Sequence, residues 1–169
     1  MTNIGANSRY STDLVEFNPC SAYIYPMLTQ KAKYAIKALL YLAQQKSIVR
    51  TQDIATKARV PRKFLEAILL ELKGHKLVAS VQGASGGYTL IKDPATISMA
   101  DIYRIFEGPI ALVPCASVNF YARCADCEDE KTCLIRRAII DVRERTLEAL
   151  EAQTIASMLE RNARRKDRR

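Results

Sequence analysis

The sequence predicts a mainly α-helical chain carrying one small β-hairpin, with a long helix near its C-terminal end. Three observations lead there. Apolar residues recur at helical spacing in three consecutive segments between residues 28 and 74. Two short alternating segments then flank a glycine run at 83–87, which is the pattern of a hairpin. A second helical stripe resumes after residue 132, beyond a stretch with little periodicity.

The first helix is expected over 28–45, with Thr29 as its N-cap and Ala32, Ala35, Ile36, Leu39, Leu40 and Ala43 along one face. Thr51 is expected to cap a short second helix whose small apolar face is Ile54, Ala55 and Ala58. Pro61 stands where a third helix should begin, since a first-turn position tolerates its missing N–H. Phe64, Leu65, Ile68, Leu69 and Leu72 form the expected buried stripe of that helix, and Gly74 is its expected left-handed stop. Strands follow at 77–82 and 88–91. Ser98 and Asp101 have the spacing of a capping box for a fourth helix reaching about residue 107.

Ile135, Ile139, Val142, Thr146 and Leu150 step along a long helix, with most charged residues off that stripe. Such a stripe needs a partner surface, and a second copy of the same helix supplies one. Residues 153–160 read as a short closing helix. The expected organisation is a polar, disordered leader over 1–26, a winged helix-turn-helix over 27–107, and a cysteine-rich loop over 108–132. A dimerisation helix and closing helix occupy 133–160, and a basic tail 161–169. Met27 is an alternative translation start.

Composition narrows the function. The chain has 169 residues, 49% of them hydrophobic, which is enough to bury a core. No apolar run approaches the ~18 residues of a membrane span, and the first 26 residues do not resemble a secretory signal, so a cytoplasmic protein without a membrane partner is expected. The formal charge is +8, of which residues 161–169 carry +5 through six Arg or Lys and one Asp. That balance favours a polyanionic partner, although a basic tail is also simply solvated. Catalysis has no support. The sole histidine, His75, follows a helix stop, and the glycine run lacks the Lys and Ser/Thr of a phosphate-binding loop.

Helix, short helix, tight turn, helix and hairpin is an order that serves double-stranded DNA. The third helix would enter the major groove by its N-terminal end, where Arg62 and Lys63 sit, with Glu66 and Ala67 also on or near the exposed side. Arg and Lys bond guanine, and Glu accepts from the cytosine amino group. The hairpin turn would be the wing: glycines, including Gly86 and Gly87, admit a phosphate or the minor groove closely, and Gln82 and Ser85 offer polar contacts. Thr51, at the start of the second helix, completes the expected DNA-contacting set. A protein-interaction module of the same architecture is the competing reading.

Cys115, Cys124, Cys127 and Cys133 crowd into 19 residues with intervals of eight, two and five residues between them, whereas Cys20 stands alone. Four thiolates on one loop suit a tetrahedral zinc, an iron–sulfur cluster or a metal-free thiol switch, and the spacing does not choose between them. Unrelated cysteines are the bland alternative.

The chain resembles the Rrf-two type winged-helix regulators, a bacterial family that includes IscR-like, NsrR-like and CymR-like proteins. The residues that carry the likeness are Met27 through Ala43, Ile54-Ala55, Val60-Pro61, Phe64 through Leu69, Gly83 through Leu90, and Asp93-Pro94. It covers about residues 27–160, and the block before Tyr88 is its most specific part. The resemblance implies a homodimer that binds operator DNA and represses or activates nearby genes, with Lys63, Glu66 and Gln82 standing where members read bases. It also implies an iron–sulfur cluster, of two or four irons, on the cysteines ahead of the dimerisation helix. The chain departs from the best-described patterns of three cysteines and one other ligand. Arg136 replaces the ligating histidine of IscR-like proteins, and Lys33 the aspartate of NsrR-like ones. An all-cysteine site is then the simplest expectation, with zinc or no metal as the alternative. Cluster binding or loss would reorder the loop and alter the spacing of the two recognition helices.

Overall fold

The computed structural model describes residues 28–45, 47–83 and 86–168. The expected leader, Met27, Cys20 and Ser85 lie outside the described residues. Helix α1 spans Gln30–Ala43, and Thr29 caps it as expected, its hydroxyl accepting from the Ala32 amide at 3.3 Å. Helix α2 spans Thr51–Ala58. Arg50, not Thr51, occupies the N-cap position there, and its side chain makes no capping bond. Thr51 is the first helical residue.

The turn between α2 and α3 closes through Arg59 in the left-handed region (φ 54°), and the Val60 amide bonds to Ala55 O at 2.9 Å. Helix α3 spans Arg62–Gly74, with Pro61 as the residue that opens it. Leu65, Ile68, Leu69 and Leu72 are buried as the spacing predicts and pack with Leu39, Leu42 and Ile54 into one core. Phe64 departs from expectation. It is 62% exposed, because it lies about 100° from Leu65 on the wheel and beyond the edge of the buried arc. The expected left-handed stop at Gly74 is also displaced: Gly74 stays helical and Lys76 takes the positive φ of 57°. The Leu77 amide then reaches back to Leu72 O at 3.0 Å, so the backbone bond rather than a glycine ends the helix.

Strands β1 (Val78–Val81) and β2 (Gly87–Leu90) pair antiparallel, with Val78 opposite Leu90 and Val81 opposite Gly87. Val49 adds a one-residue bridge to Tyr88, which ties the hairpin to the segment entering α2. A 3₁₀ turn at Pro94–Thr96 leads to α4 (Met99–Phe106), where the expected Ser98–Asp101 capping box is complete.

Helix α5 spans Leu134–Glu151 and buries none of its residues. Helix α6 spans Ile155–Lys166 and returns to the N-terminal body. The Ile155 amide bonds to Ile97 O at 2.9 Å, the Met99 amide to Gln153 O at 2.8 Å, and the Ile155 side chain is fully buried. The closing helix is thus longer than the sequence reading, which ended it at 160 and began a basic tail at 161. A Thr154–Ser157 capping box starts it, and Arg161, Arg164, Arg165 and Lys166 are strong helix formers whose charge suits a helix C-terminus.

Candidate nucleic-acid interface and cysteine site

Helix α3 turns its buried arc toward α1 and leaves Arg62, Lys63, Glu66, Ala67 and Leu70 exposed. Lys63, Ala67 and Leu70 follow one line along it, at spacings of four and three. Arg62 pairs with Glu66 (Nε to Oε1, 2.9 Å) and reaches Gln52 at 3.5 Å. Both partners are exposed, so the pair adds little stability and mainly fixes where two polar side chains stand. Lys63 forms no ion pair among the described residues.

A second part of the surface lies at the hairpin. Thr51, Ser80, Gln82, Gly83, Gly86 and Gly87 line one shallow polar concavity together with Lys73. The Lys73 ammonium donates to Ser80 Oγ at 2.7 Å and so joins the end of α3 to β1. The sequence-predicted residues therefore form two groups, one on the free face of α3 and one around the hairpin base. The glycines there have a structural reason of their own. A Cβ on Gly86 would lie 2.5 Å from Val81 O, and one on Gly87 would lie 2.2 Å from Val49 O. Lys73, in the concavity, and Leu70, on the exposed line of α3, were missed by the sequence reading, as a helix-end cation and an apolar residue give no local sign of such a place.

The four clustered cysteines come from separate local structures. Cys115 is buried in a 3₁₀ turn at Pro114–Ala116, while Cys124 and Cys127 share a turn closed by a 3.3 Å backbone bond. Cys133 caps α5, its sulfur accepting from the Arg136 amide at 3.4 Å. All four are free thiols, and all four line one cavity of about 340 Å³ with Asp126, Asp129 and Arg136 among its walls. Among the described residues no group of three or more Cys, His, Asp or Glu is arranged to hold a metal ion. The hydrogen bond with Cys115 pushes the Cys124 thiol above its ordinary pKa, helped by desolvation and by the negative charge of Cys115, Asp126 and Cys133.

Arginines hold the frame of this cavity, a role the sequence reading missed. Arg136 Nε donates to Cys115 O at 3.0 Å and Arg143 Nη1 to Ala116 O at 2.6 Å, so α5 grips the Cys115 turn at two points. Arg123 Nη2 donates to Cys127 O at 2.8 Å and Glu128 O at 3.0 Å. The Tyr121 hydroxyl donates a hydrogen bond to Glu130, which raises the tyrosine pKa. Their sequence sign was slight: Arg136 and Arg143 stand two turns apart on a helix whose charges looked solvated. Lys33, where the family likeness pointed to a possible ligand, is exposed on α1.

Residues 28–161 match the Rrf2 family, described as iron-dependent transcriptional regulators. The chain belongs to that family. An HTH-type regulator of Rhodobacter capsulatus named rrf2-like is 42% identical over 138 residues, covering 79% of this chain and 92% of that protein. The regulator IscR of Vibrio vulnificus is 30% identical over 137 residues, covering 80% of this chain and 78% of its own. Among solved structures, CymR, the global cysteine regulator of B. subtilis, superposes with a TM-score of 0.61 at 28% identity, over 78% of this chain and 94% of that one. The Rrf2 chain is therefore a bacterial transcriptional regulator rather than an enzyme, and its hairpin is the wing of a winged helix-turn-helix. Among the described residues no helix is long and apolar enough to cross a membrane.

Proposed function

We propose that this regulator works in the cytoplasm as a homodimer on operator DNA, and that an iron–sulfur cluster on Cys115, Cys124, Cys127 and Cys133 sets its affinity. The observation that carries the reading is the single cavity lined by all four cysteines, although they belong to three local structures. The donor set fits: soft thiols suit a cluster, and a chamber of about 340 Å³ suits a body larger than one ion. A closed zinc site would need four sulfurs about 2.3 Å from one point. No group of described residues is so arranged, so the loop would have to draw its sulfurs together around either a zinc ion or a cluster. When bound, the cluster supplies a centre that oxidants or iron shortage alter.

The chain's own residues do the rest. Cys133 caps α5, and Arg136 and Arg143 tie the Cys115 turn to the same helix. A rearranged loop therefore acts on α5, the helix proposed to pair the two copies, and through it on the separation of two α3 helices. On DNA, Arg62, Lys63 and Glu66 face bases from α3. Thr51, Gln82, Gly86 and Gly87 face the backbone or minor groove from α2 and the wing, and Ser85, outside the described residues, is proposed to contact DNA with them.

Anaerobic expression followed by iron and acid-labile sulfide counts, a visible spectrum and DNA titration tests the proposal. Iron and sulfide in equal amounts, with DNA affinity changing as the chromophore bleaches, is the expected result. A colourless protein holding one zinc per chain, indifferent to oxidant, would defeat it. One observation favours a second reading, a metal-free thiol switch: Cys115 and Cys124 are free thiols that line the same cavity. There an oxidant would take two electrons and two protons as the two sulfurs join, and mass spectrometry would find that disulfide in iron-free, DNA-regulating protein.

A further inference from the structure

We propose that the arginine face of α6 is a second, sequence-independent DNA contact, which binds phosphates of the duplex flanking the operator. The inference rests on the operator-binding reading above and adds a surface to it. Arg161, Arg164 and Arg165 lie within α6 and Arg168 in the turn that follows it. At 100° per residue the three within α6 fall within an arc of roughly 100°. All four are exposed, and none is ion-paired among the described residues. Arg161 bonds only to Ser157 O of its own helix, at 3.5 Å.

A disordered basic tail would spread the same charge over many conformations. Here helix α6 gathers it, and its first turn is fixed to the wing-bearing body by the Ser98–Thr154 bridge and the Ile155–Ile97 bond. The array therefore moves with the DNA-binding body and not with the loop. The family match ends at residue 161, so membership does not account for the cations beyond it. A lipid surface is a poorer partner, because a helix lying on a membrane needs its apolar side. Ile155, Met158 and Leu159 already spend that side on the core. A regular row of phosphates asks only for charge at suitable spacing, which three arginines on one helix face and a fourth in the turn beyond it provide.

The test uses the full chain and a variant carrying Arg161→Gln, Arg164→Gln, Arg165→Gln and Arg168→Gln. Each is titrated by anisotropy on duplexes of 24 and 40 base pairs, both centred on the tightest sequence selected from a random pool. The unmodified chain should favour the longer duplex, and the variant should lose that advantage. Its slope of log affinity against log salt should flatten by up to about 3–4 per protomer, at ~0.9 for each phosphate released. Discrimination between selected and scrambled sequence should stay unchanged. The four corresponding Arg→Lys changes should keep the slope, which separates charge from any effect on α6 folding. Equal slopes and affinities for the glutamine variant, with DNA binding intact, would overturn this inference and leave the operator reading standing. So would an effect confined to single-stranded RNA of the same length or to anionic vesicles. An unmodified chain that binds neither duplex overturns both.

Discussion

A methyl group on Gly87 would meet the carbonyl oxygen of Val49 at 2.2 Å and its carbon at 2.6 Å, with only backbone available to yield. Gly87→Ala should therefore break the Val49–Tyr88 bridge and cost about 1–3 kcal/mol, as overpacking does. Urea unfolding would read this as a lower midpoint at unchanged slope. Gly74→Ala should do the reverse. Its Cβ would meet nothing within 4 Å, and alanine is the better helix former by about 0.5–1 kcal/mol. A stability loss at position 74 would contradict the geometry. The two glycines mark how far single residues could be read. Their punctuation of the chain was legible, as was the Ser98–Asp101 capping box. Which glycine was indispensable was not, because the atom that forbids a side chain at 87 belongs to a residue 38 positions earlier. Lys76 takes the left-handed position expected of Gly74 for a related reason: Leu72 and Leu77 are both buried and joined by a backbone bond, and that closure sets the backbone between them.

At the scale of elements, periodicity located the helices well and their partners poorly. Leu65, Ile68, Leu69 and Leu72 were legible as a buried stripe because burial repeats with the helical turn. Arg136 and Arg143 obey the same period on α5 but carry charge, so the pattern assigned them to solvent. In the fold, Arg143 is mostly covered, its side chain 16% exposed, and serves the buried Ala116 carbonyl. Arg143→Met keeps much of the stem's packing and removes the donor. A buried acceptor left without a partner costs about 1–3 kcal/mol. Amides of residues 113–118 should exchange faster in this variant, while those of α1 to α3 keep their protection. If exchange in the Cys115 turn were unaltered, the two-arginine grip would not be what couples the cysteine cavity to α5. The four cysteines illustrate the same limit. Their crowding was plain in the sequence, but three turns had to fold before it became one cavity.

The whole molecule leaves an imbalance between its two ends. The N-terminal body closes on itself around Leu39, Ile54, Leu69 and Ile102, with Ile155 brought back from α6 to complete it. Helix α5 has no such closure: Leu134, Ile135 and Val142 are 76%, 72% and 47% exposed, and Leu112 beside it is 63% exposed. An apolar groove bounded by Leu28, Met99, Tyr103, Val142 and Leu150 runs along the same helix. Apolar surface gains about 25 cal/mol per Å² on leaving water, so a second α5 laid on this face would bury what one copy cannot. Ile139→Glu with Val142→Glu should place like charges across that contact and yield monomers at micromolar concentration, seen by sedimentation equilibrium. Each monomer should keep its core and its melting transition, because neither side chain belongs to it. Its affinity for a two-half-site operator should fall by about 100-fold or more, since the second recognition helix would no longer be delivered at high local concentration by the first. Affinity for a single half-site should hardly change. A variant that stayed dimeric, or a monomer that bound the full operator as tightly as the parent, would place the pairing surface elsewhere than on α5.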